Sequence, residues 1–261
     1  MYDFPELDAA HDALWSALLE HLIEAGVTEA PRQLTRGMDH VQVWTHPRLL
    51  LGQGCEYPLA KSFKSRIRLV ATPRYVVPGC VGASYRSAIL VREDDPAQTM
   101  AHLRDRCCAI NELASNSGMN LLRASIAPFA GGTQFFESIV LSGSHRNSAK
   151  MVAAGDADVA AVDCVTFAHL QRLYPCSVRQ LRVLGWTPAT PSLPFITAAA
   201  TSQKTLKALR SALAAVVEDR KLDAVRQLLF LDGFDLDPVG DFADVLRLER
   251  EACDLGYPKL S

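Results

Sequence analysis

Apolar positions recur along this chain with two distinct periods. Between residues 8 and 25, Leu14, Leu18 and Leu22 follow at four-residue steps, with Trp15, Leu19 and Ile23 beside them and Gly26 just beyond. That spacing predicts a helix with a wide apolar stripe. Short β-branched and apolar runs predict strands at 41–44, 68–77, 87–92, 108–111, 138–141, 159–162 and 178–186. Helical patterns fall between them at 97–106, from Ser115 to about Ile126, at 146–154 before Gly155, and at 164–173. After the proline-rich stretch from Thr187 to Pro194, the pattern reads as helix over roughly 202–219, 221–230 and 240–255. Strands alternating with helices predict an α/β protein with mainly parallel sheets. The helical tail forms its own bundle or returns to cover the N-terminal sheet, and periodicity does not decide between these.

Composition narrows the class. The chain has 261 residues, 49% of them hydrophobic, enough for one large domain or two modest ones. With 27 Lys+Arg against 29 Asp+Glu, the formal charge of −2 argues against a nucleic-acid binder, which needs a basic face. No apolar run approaches the ~20 residues of a membrane-spanning helix. The opening Met1-Tyr2-Asp3-Phe4-Pro5-Glu6 has no basic region followed by an apolar one, so the chain as written is expected in the cytoplasm. A lost leader would instead place it in the periplasm. Seven scattered cysteines, none in a CxxC, read as reduced thiols rather than a disulfide framework. Neither a metal site nor a cofactor is expected.

Two strand-to-helix turns concentrate the candidate chemistry. One runs Asn111-Glu112-Leu113-Ala114-Ser115-Asn116-Ser117-Gly118-Met119, the other Ser142-Gly143-Ser144-His145-Arg146-Asn147-Ser148. Each places hydroxyls and backbone N–H groups at a helix N-terminus, where the first turn has unpaired donors and a partial positive charge. Such turns hold an oxyanion without net basic charge on the protein. The same residues also serve as ordinary helix caps.

The run Ser115-Asn116-Ser117-Gly118 resembles the Ser-Thr-Ser-Gly turn of the phosphate/phosphite/phosphonate-binding family of ABC-transporter substrate-binding proteins. Gly143-Ser144-His145, followed by the stretch from Val152 to Asp163 (VAAGDADVAAVD), is similar to a second motif of that family. The stretch from Tyr85 to Arg92 is similar to its crossing strand. The resemblance implies a two-lobed type II periplasmic-binding-protein fold, each lobe a mainly parallel sheet flanked by helices, with the ligand in a cleft between lobes. It implies lobe I from 1–86 plus 190–261 and lobe II from 87–189, and it favours the tail returning to lobe I. The implied ligand is a small phosphorus oxyanion, bound for an ABC permease or by a cytoplasmic sensor. The implied contacts are Ser115, Asn116 (where Thr is usual), Ser117, Gly118, Ser144 and His145. Asp163, expected at the end of its strand, either pairs with the amine of an aminoalkylphosphonate or caps the following helix. Tyr2 and Tyr57 are candidate aromatic walls from lobe I, and the chain begins inside what the family would make its first strand.

Catalytic readings find less support. There is no GxSxG elbow, P-loop, GxGxxG or HExxH in the sequence. Cys164 beside Asp163, with His145 as base, is the one thiol arrangement to consider, and a buried Cys is usually a small hydrophobe. The alternative within the same fold is a protein that binds or makes a thiamine pyrimidine precursor, which would need stacked aromatics. Aromatic content of only 7% favours an oxyanion.

Overall fold

The structure, a computed structural model, describes residues 2–237 and 242–261. The chain divides into two compact units. Unit 1 comprises Met1–Val76, Val81–Ala83 and Pro191–Asp241; unit 2 comprises Val77–Cys80, Ser84–Thr190 and Phe242–Ser261.

In unit 1 the predicted first helix forms over Asp8–Glu24 and buries Leu14, Trp15, Leu18 and Leu22. Gly26, at φ +81°, supplies the left-handed residue past its end. The helix packs against Gln203–Glu218, whose Leu206, Leu209, Leu213 and Val216 are buried. The sheet has the order Gly52–Gln53, Phe195–Ala198, Ile67–Tyr75, Leu231–Asp235. Each of these pairings is antiparallel, where parallel pairing was expected. The reason is topological. Phe195–Ala198 and Leu231–Asp235 run the same way and are joined through the helix Gln203–Glu218, as a crossover requires. The strand between them, Ile67–Tyr75, arrives earlier in the chain and runs against both.

Two other local expectations change. Residues 41–44 lie in a helix, His40–Thr45, because Asp39 accepts from the backbone N–H groups of Val41 (2.9 Å) and Gln42, and that cap overrides β-branched propensity. The 97–106 segment holds only a single 3₁₀ turn, Met100–Leu103, with no side-chain cap and with Asp105 at φ +59°.

Unit 2 is a five-stranded sheet ordered Ser138–Leu141, Cys107–Ile110, Val159–Asp163, Ser87–Arg92, Leu181–Trp186. The first three strands are parallel, and Ser87–Arg92 runs antiparallel to both of its neighbours. Ala88 to Val91, Cys108 to Ile110 and Val159 to Val162 are all fully buried, as expected of central strands covered on both faces. The helices Leu121–Ala130, His145–Ala154 and Cys164–Leu173 follow the three parallel strands in turn.

The tail divides between the units. Gln203–Glu218 lies in unit 1, whereas Phe242–Ser261 belongs to unit 2 rather than to lobe I. Its helix, Ala243–Asp254, packs on Leu121–Ala130; residues 240–241 of the expected 240–255 helix lie outside the described residues. Buried Arg123 holds this tail: its guanidinium donates to Pro258 O (2.9 Å) and Asn120 Oδ1 (2.6 Å) and pairs with Glu249 (3.9 Å). The backbone N–H groups of Phe135 and Phe136 also donate to Ser261 O.

Candidate functional site

Because Ser138–Leu141, Cys107–Ile110 and Val159–Asp163 are adjacent and parallel, the three helices that follow them start at the same edge of the sheet. Carboxyl ends of parallel strands are where open α/β sheets bind ligands. Each start is capped by a residue singled out in the sequence. Ser115 Oγ accepts from Gly118 N (3.0 Å), Ser144 Oγ from Asn147 N (3.1 Å), and Asp163 Oδ1 from Thr166 N (2.9 Å). The first of these helices opens as a π-turn over Asn116–Asn120, a wide turn that recurs at functional sites.

The two Ser-rich turns meet directly. Ser117 Oγ and His145 Nε2 lie 2.7 Å apart, although 28 residues separate them. Ser87 Oγ donates to Ser117 O (2.9 Å), and Ser87 lies opposite Asp163 in the sheet register, which ties all three strand ends together. Burial pushes the His145 imidazole down to about 4, with the Ala161 backbone opposing, so the ring is neutral at pH 7. Its Nδ1 is shielded from solvent.

Ser117 and His145 therefore look like a nucleophile and base but lack the chemistry of one. Burial holds the imidazole down to about 4, and a base that weak does not activate a hydroxyl at neutral pH. What remains is a pair of polar groups at helix N-termini, suited to meeting the oxygens of an anion.

Asn116 has other work. Its Nδ2 donates to Tyr85 Oη (3.2 Å) and Thr190 Oγ1 (3.1 Å), and its Oδ1 accepts from Asn120 Nδ2 (2.9 Å). At Gly118 a Cβ would fall 1.8 Å from Asn111 Oδ1, so the missing side chain makes room for the Asn111 carboxamide. That Asn111 oxygen is shielded and unpartnered among the described residues. It lies within the quoted turn, yet nothing local marks it out from the residues beside it. Asp163 is 1% exposed, and its cap bond to Thr166 is in place.

Tyr2 and Tyr57 belong to unit 1. Tyr2, at φ +56°, meets the Tyr75 ring edge-on with centroids 5.4 Å apart. Tyr57 is buried in the short helix Glu56–Pro58, with Lys61 Nζ 6.0 Å from its ring centroid.

Two further features of the molecule carry less. A hollow of about 500 Å³ in unit 2, lined by Arg92, Glu93, Asp94, Ala153, Ala154 and Gln180, lies at the other end of the Ser87–Arg92 strand from Ser87. Its Arg92 is already paired with Asp94 at 2.8 Å. In unit 1, Asp3, Asp8 and His11 bring ligand atoms within 4.8 Å of one another, but Arg36 occupies Asp8 at 3.2 Å.

One of the two units thus carries three capped helix N-termini on adjacent parallel strands. Residues 53–236 match the family described as ABC transporter, phosphonate, periplasmic substrate-binding protein. The chain belongs to this phosphonate-binding family, a transport family and not an enzyme family. Among curated proteins no sequence relative matches.

Solved structures are similar in fold. PA3383 of Pseudomonas aeruginosa, described as a binding protein component of an ABC phosphonate transporter, aligns with a TM-score of 0.75 and 16% identity, covering 97% of this chain and 84% of that one. PhnD1 of Prochlorococcus marinus, solved in complex with methylphosphonate, aligns at 0.71 and 12% identity over 93% of each chain. XAC2383 of Xanthomonas citri, solved with chloride bound, aligns at 0.70 and 16% identity over 95% of this chain and 94% of that one. No helix among the described residues is long and apolar enough to cross a membrane.

Proposed function

We propose that the protein binds a phosphonate, or a smaller phosphorus oxyanion such as phosphite or phosphate, for delivery to an ABC permease in the periplasm. The observation that carries this is the 2.7 Å contact between Ser117 and a neutral His145 at adjoining helix N-termini. Serine hydroxyls, backbone N–H groups and helix dipoles stabilise an oxyanion there without any basic side chain. Ser115, Ser144 and Gly118 shape the two turns, and Asn116 acts through its backbone because its side chain is committed to Tyr85, Thr190 and Asn120. Tyr2 and Tyr57 are proposed as the ligand's aromatic contacts from unit 1, on the family resemblance. Periplasmic delivery rests on the family's setting, and PhnD1 offers a precedent for methylphosphonate.

A second reading concerns selectivity. Asp163 places a carboxylate at the third helix start, where it favours a ligand that carries an amine over a bare phosphonate.

The test is a thermal-shift and calorimetry panel of methylphosphonate, 2-aminoethylphosphonate, phosphite, phosphate, sulfate and an aminopyrimidine. A ligand at ~100 times its Kd stabilises the fold by about 2.7 kcal/mol, which the assay resolves. Stabilisation by phosphorus oxyanions and not by sulfate is the expected result. A response to the pyrimidine alone, or silence with every phosphorus anion, would overturn the reading.

A further inference from the structure

Cys80 and Cys164 are 84 positions apart in the chain, yet their sulfurs stand 3.4 Å apart within unit 2. The backbone builds this contact from both sides. The stretch Val77–Cys80, by which the chain first enters unit 2, closes a turn in which Cys80 N donates to Val77 O (3.1 Å). Gly79 sits in that turn at φ +99°, and a Cβ there would fall 2.6 Å from the Trp186 ring and 2.9 Å from Cys164 Cβ. Glycine thus lets the turn lie against both residues. On the other side, Cys164 is the first residue of the helix capped by Asp163, is 2% exposed, and donates its N–H to Arg86 O (3.2 Å). Neither thiol belongs to the Ser-rich turns.

We propose that Cys80 and Cys164 are a modification site, a dithiol that oxidises reversibly to a disulfide. The sulfurs must close by about 1.4 Å to reach the ~2.05 Å of an S–S bond. The oxidant is a low-molecular-weight disulfide. Cys80, half-buried and the more accessible of the two, loses its proton; its sulfur attacks one sulfur of the oxidant and expels the first small thiol. Cys164 then gives up its proton, and its sulfur displaces the second small thiol from the mixed disulfide on Cys80. Two protons and two electrons leave the protein, and one small disulfide becomes two thiols. The order follows from the environments. The hydrogen bond with Cys80, then burial, then the nearby Asp163 charge push the Cys164 thiol well above the usual range, so it does not start the exchange. The pair would be closed in an oxidising compartment and open in a reducing one.

The experiment incubates the purified chain with oxidised glutathione, blocks the remaining thiols by alkylation and maps peptides without reduction. A peptide pair joined through Cys80 and Cys164 is expected in most chains, and dithiothreitol should return it to two free thiols. The joined pair should be absent from both Cys80→Ser and Cys164→Ser and should persist in Cys176→Ser. The partly open position of Cys80 makes its variant the milder one for folding. Alkylation of all seven cysteines after oxidation would overturn the proposal, as would glutathione left unresolved on Cys80, or Cys80 joined to a different cysteine.

Discussion

Replacing His145 by Gln should remove a defined part of the acid sensitivity of this fold. In the folded chain burial holds the imidazole down to about 4, against 6.5 when it is free in water. As pH falls below 6.5, the unfolded chain takes up a proton that the folded chain refuses. The stabilisation is therefore complete above pH 6.5, is lost as pH falls from there towards 4, and changes little below that. Each pKa unit is worth about 1.4 kcal/mol, so the whole step comes to about 3 kcal/mol, of which about 2 kcal/mol is gone by pH 5.

The assay is urea unfolding of the native sequence and of His145→Gln at pH 7.5, 6.5, 5.5 and 5.0. Other groups titrate in this window, including His11, which burial also lowers, and they cancel in the difference between the two proteins. The native sequence should lose about 2 kcal/mol more than the variant between pH 7.5 and 5.0. A difference that stays flat with pH would show that the ring is solvated or charged in the fold, and the neutral-imidazole description of the site would go with it.

Three further outcomes follow from the same geometry. Ser117→Ala should weaken methylphosphonate by about 1–3 kcal/mol in calorimetry if the hydroxyl meets an ionised ligand, and unchanged affinity would take this turn out of the site. Asp163→Asn keeps a good cap for Thr166 and should therefore spare the fold while selectively weakening 2-aminoethylphosphonate; equal effects on the amino and methyl ligands would refute the amine pairing. Arg123→Ala removes the bonds to Pro258 O and Asn120 Oδ1 and the ion pair with Glu249, so unit 2 should lose about 3 kcal/mol and limited proteolysis should cut first within 242–261. Protease resistance equal to the native chain would refute that role for Arg123.

Much of unit 2 was legible because its signals are local. A cap lies within three residues of the N–H it satisfies, so Ser115, Ser144 and Asp163 could be read as helix starts from the chain alone. The strand Ser87–Arg92 and the helix Cys164–Leu173 likewise follow from short windows of apolar pattern. Where a local signal was misjudged, another local one outweighed it: Asp39 capped 41–44 into a helix that its valines alone would have made a strand. Gly118, a contact implied by the family resemblance, also leaves the space taken by the Asn111 side chain, which no local pattern announces.

Other features exist only through partners far away in the chain. Phe195–Ala198 and Leu231–Asp235 are too short to show a period of their own, and they are strands because Ile67–Tyr75 lies between them and supplies their hydrogen bonds. The helix Ala243–Asp254 has an amphipathic pattern that does not say which unit it covers; Arg123 and Asn120 settle that through bonds to Pro258 and Val245. The Ser117–His145 contact depends on strand order, since neighbouring parallel strands bring together turns that sequence distance keeps apart, and the Cys80–Cys164 pair depends on the Gly79 turn lying against the start of a helix 84 positions further on. The sequence by itself determined the helix starts, the buried strand runs and the residue types fit for an oxyanion. Tertiary structure alone decided which strands pair, in which direction, and which side chains meet, because those depend on chain closure over distances that no local pattern encodes.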